Sequence, residues 1–295
     1  MKKIDRTKVE KIKDKHFEYC KNLRPSQNHK IDDEICYFLC CEDPFDFNNL
    51  NPPQNDFKFL KREYWNFINS PTAISYKNQY TNFRTQTEGN ERWNGVKLIE
   101  ELGVDICPYC GLNYISSIEK KDGKIITTAT FDHYLPKCDK YAFLALNLYN
   151  LIPACRNCNS VFKGKSEERI VNPYFDAVED NITFHIYNDN LIKSILEDKV
   201  APTIEVLYDS DNEIVDNHCK ALSICDRYNN FKNIIKTLIQ KRYRYNKKYL
   251  EELENLLDNF SRSLFERDII KQDIFSEDEV FSKFKADIWK QISNY

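Results

Sequence analysis

Breakers of regular structure are scarce in this chain. Among 295 residues there are 6 glycines, none beyond Gly164, and 10 prolines, none beyond Pro202. The last third is therefore predicted to be helical. No run approaches the roughly 20 consecutive apolar residues of a membrane span, and residues 1–16 are a mixed-charge stretch without an apolar signal core. These absences predict a cytoplasmic protein with no membrane partner. An excess of positive charge is missing too. Lys and Arg number 43 against 46 Asp and Glu, a formal net charge of −3, which excludes a uniformly basic surface for a polyanion. Any nucleic-acid chemistry must then rest on locally arranged cations or on a partner.

What is present is an ordinary globular balance, 41% hydrophobic and 30% charged, enough for one large or two modest domains. Four regions are predicted: a helical N-terminal region at 1–104, a core at 105–178, a short β-rich extension at 179–215 and a helical C-terminal region at 216–295. Short helices are expected at 57–68 and 91–102. Strands are expected at 112–117 and 124–131, flanking a hairpin signal at 121–124 whose Asp122-Gly123 pair tolerates positive φ. Two more, at 182–187 and 203–208, alternate apolar and polar residues. Phe231, Ile234, Ile235 and Leu238, then Leu250, Leu253, Leu256, Leu257 and Phe260, recur at helical spacing and predict stripes that face a core. The stretch 241–248 mixes cations with aromatics and reads as a solvated helix face in preference to a phosphate contact.

Eleven cysteines are an odd number with no secretory signal before them, and four lie in two short knuckles, Cys107-Pro108-Tyr109-Cys110 and Cys155-Arg156-Asn157-Cys158. Metal binding outranks disulfides. Four thiolates from two such pairs suit a tetrahedral structural zinc, a closed site that staples the ends of the 44 residues between Cys110 and Cys155. Cys36, Cys40 and Cys41 fall on an apolar helical stretch and are read as core, as are His218, Cys219 and Cys225. His185 alternates with Phe184 and Ile186 and is read as the polar face of its strand.

Between the knuckles and just after them come Phe131-Asp132-His133 at the end of a predicted strand, Asn150-Leu151-Ile152 in a second strand, and Cys158-Asn159 opening a helix. This joint pattern, over 107–165 or about one fifth of the chain, resembles the HNH, or ββα-metal, nuclease family in its subtype threaded through a two-knuckle zinc site. The resemblance implies an α+β fold: a small zinc-stapled ββα-metal core flanked by mainly helical N- and C-terminal regions. It implies an endonuclease that hydrolyses DNA phosphodiester bonds, with His133 as general base, Asp132 and Asn159 on a divalent cation, Mg²⁺ or Mn²⁺, and Asn150 as a positioning residue. Chemistry explains these residue types. A phosphodiester repels hydroxide, so the site must neutralise phosphate, make a nucleophile at neutral pH and stabilise a leaving alkoxide. A carboxylate and an amide oxygen suit a hard cation, and an imidazole suits proton removal from water.

Where the family ends in His this chain has Asn159, a variant other members use, and Cys138 stands where Ser is commoner. From 131 to 169 the cations outnumber the acids, and Lys137, Lys140, Lys163 and Lys165 are the candidate nucleic-acid contacts. The segment Asp132-His133-Tyr134-Leu135-Pro136-Lys137 with Asn172-Pro173-Tyr174-Phe175-Asp176 is similar to nucleases of bacterial anti-phage defence systems, including the Septu type, which implies an ATPase subunit as partner. The alternative from another class is a non-catalytic zinc-stapled module that binds nucleic acid or protein.

Overall fold

The protein is described from a computed structural model covering residues 1–23, 32–47, 60–68, 70–85, 93–121, 125–187, 205–257, 261–265 and 279–293. Helices α1 (Arg6–Lys21), α2 (Asp33–Cys41), α3 (Pro71–Thr85) and α4 (Gly95–Leu102) build the N-terminal region. Three begin on side-chain caps: Asp5, Asp32 and Asn94 accept from the N–H groups of Thr7, of Glu34, and of Val96 and Lys97. Of the helix expected at 91–102, residues 91–92 lie outside the described residues, and α4 begins after the Asn94 cap at Gly95, whose missing Cβ matters. A Cβ there would lie 2.9 Å from the Phe131 ring, so α4 can approach that ring only as glycine. Of the helix expected at 57–68, the described part is a 3-10 segment, Arg62–Phe67, and 57–59 lie outside the described residues.

The described strands form three two-stranded antiparallel sheets. Strands β1 (Ser117–Glu119) and β2 (Ile125–Thr127) make the hairpin, and its tip at 122–124 lies outside the described residues. The strand expected at 112–117 starts late because Leu112 and Asn113 belong to the first knuckle, donating a backbone N–H and a side-chain amide to the Cys110 sulfur at 3.5 and 3.7 Å. The strand expected at 124–131 divides near Thr128, where the chain changes partner. Strand β3 (Ala129–His133) pairs with β4 (Leu151–Cys155), Ala129 opposite Cys155 and His133 opposite Leu151. Helix α5 (Asn157–Lys163) follows at once with π geometry. It ends at Gly164, whose φ of 55° favours glycine and whose N–H donates to Asn159 O at 2.9 Å.

Strands β5 (Thr183–Tyr187) and β6 (Glu205–Asp209) pair next, with 203–204 outside the described residues. Helices α6 (Glu213–Ala221), α7 (Ile224–Asn229), α8 (Lys232–Arg244), α9 (Lys247–Leu256), α10 (Arg262–Phe265) and α11 (Ser282–Ile292) complete the chain. Side chains of α11 satisfy the free edge of β5: Asp287 accepts from Phe184 N–H, and Gln291 bonds both N–H and C=O of Ile186, each at 2.9 Å. Ile235 and Leu238 are buried on α8 as their spacing predicts. On α9 only Leu250 is buried, while Leu256 is 77% and Leu257 52% exposed, and Phe260 lies outside the described residues. Periodicity identifies an apolar face, not whether anything packs on it. The fold is α+β, and buried residues from all four expected regions join one contiguous core. No helix among the described residues is long and apolar enough to cross a membrane.

Asn147 fastens the N-terminal layer to the middle of the chain. It is fully buried; its Oδ1 accepts from Tyr149 and Asn150 N–H, and its Nδ2 donates to Leu39 O and Glu42 O at 2.8 and 2.9 Å. Asn147→Ala strands these backbone groups and is expected to cost about 2–4 kcal/mol in urea unfolding. A loss within about 0.5 kcal/mol, the scatter of neutral surface changes, would show that the two layers do not depend on it.

Candidate active site and thiolate cluster

Cys107, Cys110, Cys155 and Cys158 are all buried, and their sulfurs lie within 4.8 Å of one another. The Cys110 and Cys155 sulfurs are 3.9 Å apart, close to the separation of about 3.8 Å that Zn–S bonds of about 2.3 Å give in a tetrahedron. Backbone N–H groups point inward, from Cys155 to the Cys107 sulfur at 3.3 Å and from Cys158 to the Cys155 sulfur at 3.5 Å. Asn113 Nδ2 adds a donor to Cys155 at 3.4 Å. Donors aimed at sulfur favour thiolates. Hydrogen bonds from the other three cysteines drive Cys155 far below the usual thiol range, whereas burial pushes Cys107 up and the same bonds push Cys158 up. Four thiols cannot all ionise in one buried space without a cation, so the cluster could hold a structural metal such as zinc.

The C-terminal helices complete this clamp. Tyr228 and His218 donate to the carbonyls of Cys110 and Tyr109, each at 2.8 Å. Arg227 donates to the Cys158 sulfur at 3.3 Å and lies 4.6 Å from the centre of the Phe162 ring. Burial opposes its charge, but the Cys158 and Cys110 thiolates hold the guanidinium protonated. It offsets part of the negative charge that a four-thiolate zinc site retains.

Strand β3 delivers Asp132 and His133 in succession, so their side chains leave on opposite sides. Asp132 is 1% exposed. Tyr109, inside the first knuckle, donates its hydroxyl to Asp132 at 2.7 Å, and the Lys163 ammonium from the end of α5 sits 3.2 Å from the carboxylate. Lys163 also donates to His133 O at 2.8 Å. Burial raises the Asp132 carboxyl above its usual range, against the lowering effects of Lys163 and Tyr109. His133 is buried, its Nε2 3.1 Å from Ala145 O, and its ring stands edge-on to Tyr80 with centroids 4.4 Å apart. A carbonyl only accepts, so Nε2 carries the hydrogen and neutral His133 keeps its lone pair on Nδ1. Burial first, and then Lys137 and Lys163, bring the imidazole down to about 3.

Asn159, on the first turn of α5, donates Nδ2 to Phe131 O and Thr130 Oγ1, both at 3.0 Å. The carbonyl partner fixes the amide's orientation and leaves Oδ1 on the other side. Asn150 does not begin β4; it closes a 3-10 turn, Leu148–Asn150. Its Oδ1 accepts from Leu135 N–H at 2.7 Å and its Nδ2 donates to Leu135 O and Leu144 O at 3.1 Å, bracing the segment between β3 and β4.

A cavity of about 570 Å³ brings Asp132, His133 and Asn159 together, with Lys77, Tyr80 and Arg84 of α3 on its wall and Lys137 and Lys165 beside them. The four lysines expected as nucleic-acid contacts separate here. Lys163 is a correction: it is 3% exposed and committed to Asp132 and His133 O, so it is not a surface cation facing a phosphate. Lys140 pairs with Glu167 at 3.1 Å and does not line the cavity. Lys137, half-buried, lies 4.3 Å over the Tyr80 ring. Lys165 is exposed at the rim. Cys36, Cys40 and Cys41 are buried on α2, and the four-cysteine group is the only metal-holding cluster of its kind among the described residues.

Comparison with protein-family models, with curated proteins and with solved structures returns no match to this chain. Sequence reasoning overlooked Tyr109, Tyr80 and Arg227. Tyr109 carried a signal, its position between two metal-type cysteines; the other two carried none.

A chain purified without chelator is expected to contain about one zinc, and Cys158→Ser to lose it. Arg227→Met should lower metal affinity about ten- to a hundredfold in competition with a chromophoric chelator, and unchanged affinity would remove Arg227 from the site.

Proposed function

We propose that this chain is an HNH-type, metal-dependent endonuclease, stapled by zinc and acting on DNA phosphodiester bonds. The observation that carries the reading is the commitment of His133 Nε2 to Ala145 O, which leaves Nδ1 as the basic atom of a residue that lines a cavity with Asp132 and Asn159. In support, an antiparallel strand pair runs directly into a helix, and the second knuckle spans that junction, with Cys155 ending β4 and Cys158 on α5. Asp132 and Asn159 would hold a hard divalent cation, Mg²⁺ or Mn²⁺, for which carboxylate and amide oxygens are apt donors. Such an ion would supply Lewis acidity to the phosphate and the leaving oxygen.

His133 takes a proton from the attacking water. An imidazole held near 3 is neutral at physiological pH, as a base must be, yet weak. An anionic phosphate in the cavity opposes the Lys137 and Lys163 fields and strengthens it as substrate arrives. Asn150 keeps the loop behind the base rigid. The resemblance to anti-phage nucleases extends the proposal to a defence effector working with an ATPase subunit, which co-purification with the product of a neighbouring ATPase gene would test.

One observation favours a second reading, a non-catalytic zinc-stapled binding module: Asp132 already has Tyr109 and Lys163 as partners. A carboxylate offers about four acceptor positions, so a further cation has room, but it would sit beside the Lys163 ammonium. Lys163 therefore sets how readily the ion binds. Lys163→Met leaves the buried Asp132 carboxylate without a countercharge, with only the Tyr109 hydroxyl as partner, a loss of about 3–5 kcal/mol. Under the nuclease reading Mn²⁺ takes over that charge, raising the melting temperature of the variant more than that of the wild type; under the module reading it raises neither.

His133→Ala is expected to fold, keep its zinc and lose plasmid nicking by about 10²- to 10⁴-fold. Cleavage at the wild-type rate by a zinc-loaded His133→Ala protein would falsify the nuclease reading.

A further inference from the structure

We propose that Tyr109 is the positioning residue of the cation site: its hydroxyl, delivered by the first knuckle, sets the Asp132 carboxylate so that Oδ1 is the oxygen offered to a divalent cation. This rests on the nuclease reading for the cation site, while the positioning itself is argued from the geometry around Asp132. Tyr109 is 0% exposed and donates to Asp132 Oδ2 at 2.7 Å. The Lys163 ammonium straddles the carboxylate, 3.2 Å from each oxygen. Oδ2 thus meets both donors and Oδ1 meets one. With about two acceptor positions on each oxygen, room for a further ligand is on Oδ1.

The two donors act differently on a cation. Lys163 holds the carboxylate with a full charge, which repels a second cation placed beside it. The Tyr109 hydroxyl holds it with a neutral dipole, so it stabilises the anion without that repulsion. Without the hydroxyl, the carboxylate is free to turn about its Cβ–Cγ bond and give both oxygens to the ammonium. The hydroxyl in turn is placed by the thiolate cluster. Cys107 and Cys110, which bracket Tyr109, both belong to the four-sulfur set, and the Gly111 N–H donates to Cys107 O at 2.9 Å, closing the turn that carries the tyrosine. His218 fixes the same residue from the C-terminal region, donating to Tyr109 O at 2.8 Å with its ring 5.6 Å from the phenol ring. A phenol has only two rotatable bonds, so a backbone pinned in this way leaves its hydroxyl little freedom. One side chain therefore joins the sulfur cluster to a carboxylate 23 residues further on.

The test uses the zinc-loaded full chain with Mn²⁺ as the probe, its binding followed by loss of the free-ion signal in electron paramagnetic resonance. The site is identified as the one that Asn159→Ala weakens. Tyr109→Phe removes the hydroxyl and keeps the ring. It is expected to retain about one zinc per chain and to bind Mn²⁺ about tenfold more weakly, as happens when the outer partner of a metal ligand is lost. Tyr174→Phe removes another buried hydroxyl, one that donates to Leu151 O on β4 at 2.9 Å, and should leave Mn²⁺ affinity unchanged. Plasmid nicking gives a second readout. Tyr109→Phe should need about tenfold more Mn²⁺ for half-maximal rate and approach the wild-type rate at saturation, whereas a damaged fold lowers the rate at every Mn²⁺ concentration.

Equal Mn²⁺ affinity in Tyr109→Phe and the wild type would overturn the positioning role, and metal-dependent nicking by the wild type would then leave the nuclease reading standing. Loss of zinc by Tyr109→Phe, or an equal fall in Mn²⁺ affinity in Tyr174→Phe, would also overturn it, because the hydroxyl would then serve the fold and not the carboxylate. Weaker Mn²⁺ binding confined to Tyr109→Phe, with no nicking by any of the proteins, would uphold the positioning role and sink the nuclease reading. A wild type that binds no Mn²⁺ would overturn the positioning role and the cation site with it.

Discussion

Every other feature of the site is suspended from the approach of four sulfurs to within 4.8 Å. The cysteines sit at both ends of a segment whose own strands are short, β3 and β4 having five residues each. Two such strands are marginal alone in water. Fixing the end of β4 in the thiolate set through Cys155 limits the freedom of the pair to slip, and a slip of one residue would exchange Asp132 for His133 on each face. The register in which Ala129 faces Cys155 is thus tied to the cluster itself, since Cys155 is at once the end of β4 and a member of the thiolate set. Nor does the clamp act alone. Tyr228, His218 and Arg227 reach it from the C-terminal helices, so the scaffold around the sulfurs is drawn from residues more than fifty positions downstream.

Those parts of the molecule that were legible in the sequence are the ones whose chemistry demands local spacing. A knuckle needs two sulfurs three residues apart, so Cys107, Cys110, Cys155 and Cys158 could be picked out by spacing, whereas Asp132 and His133 were marked only by the resemblance of the joint pattern to the HNH family. Asn159 was marked by the same resemblance, standing where the family's last histidine does. The hairpin of β1 and β2 and the strands β5 and β6, though not their pairing, were legible for a similar reason, as alternation and turn residues act over a few positions.

What could not be read is set by tertiary packing. Lys163 looks like a surface lysine because nothing in its neighbours says that α5 will turn it inward onto Asp132. Lys77 and Arg84 look like the solvated face of any helix, and only the placement of α3 against the loop behind β3 gives them a shared cavity with His133. The converse error occurs on α9, where leucines at helical spacing read as core but Leu256 and Leu257 face outward. In each case the residue type was compatible with two environments, and long-range contacts chose between them.

The acidic overall charge and a polyanion-binding site are compatible once charge is considered by place instead of by sum. Asp132 is neutralised internally by Lys163 at 3.2 Å, and Lys140 is turned toward Glu167 at 3.1 Å. Arg84 and Lys137 line the same cavity as His133, inside low-dielectric walls that strengthen their field. Their focus is narrow, since surface charges beyond about 8–10 Å are screened by physiological salt. Under the proposed function, a net negative chain would repel nucleic acid broadly and meet it at one mouth, so that encounter would depend on presentation of the strand. A partner that presents the polyanion, as the proposed function includes, would suit such a charge distribution.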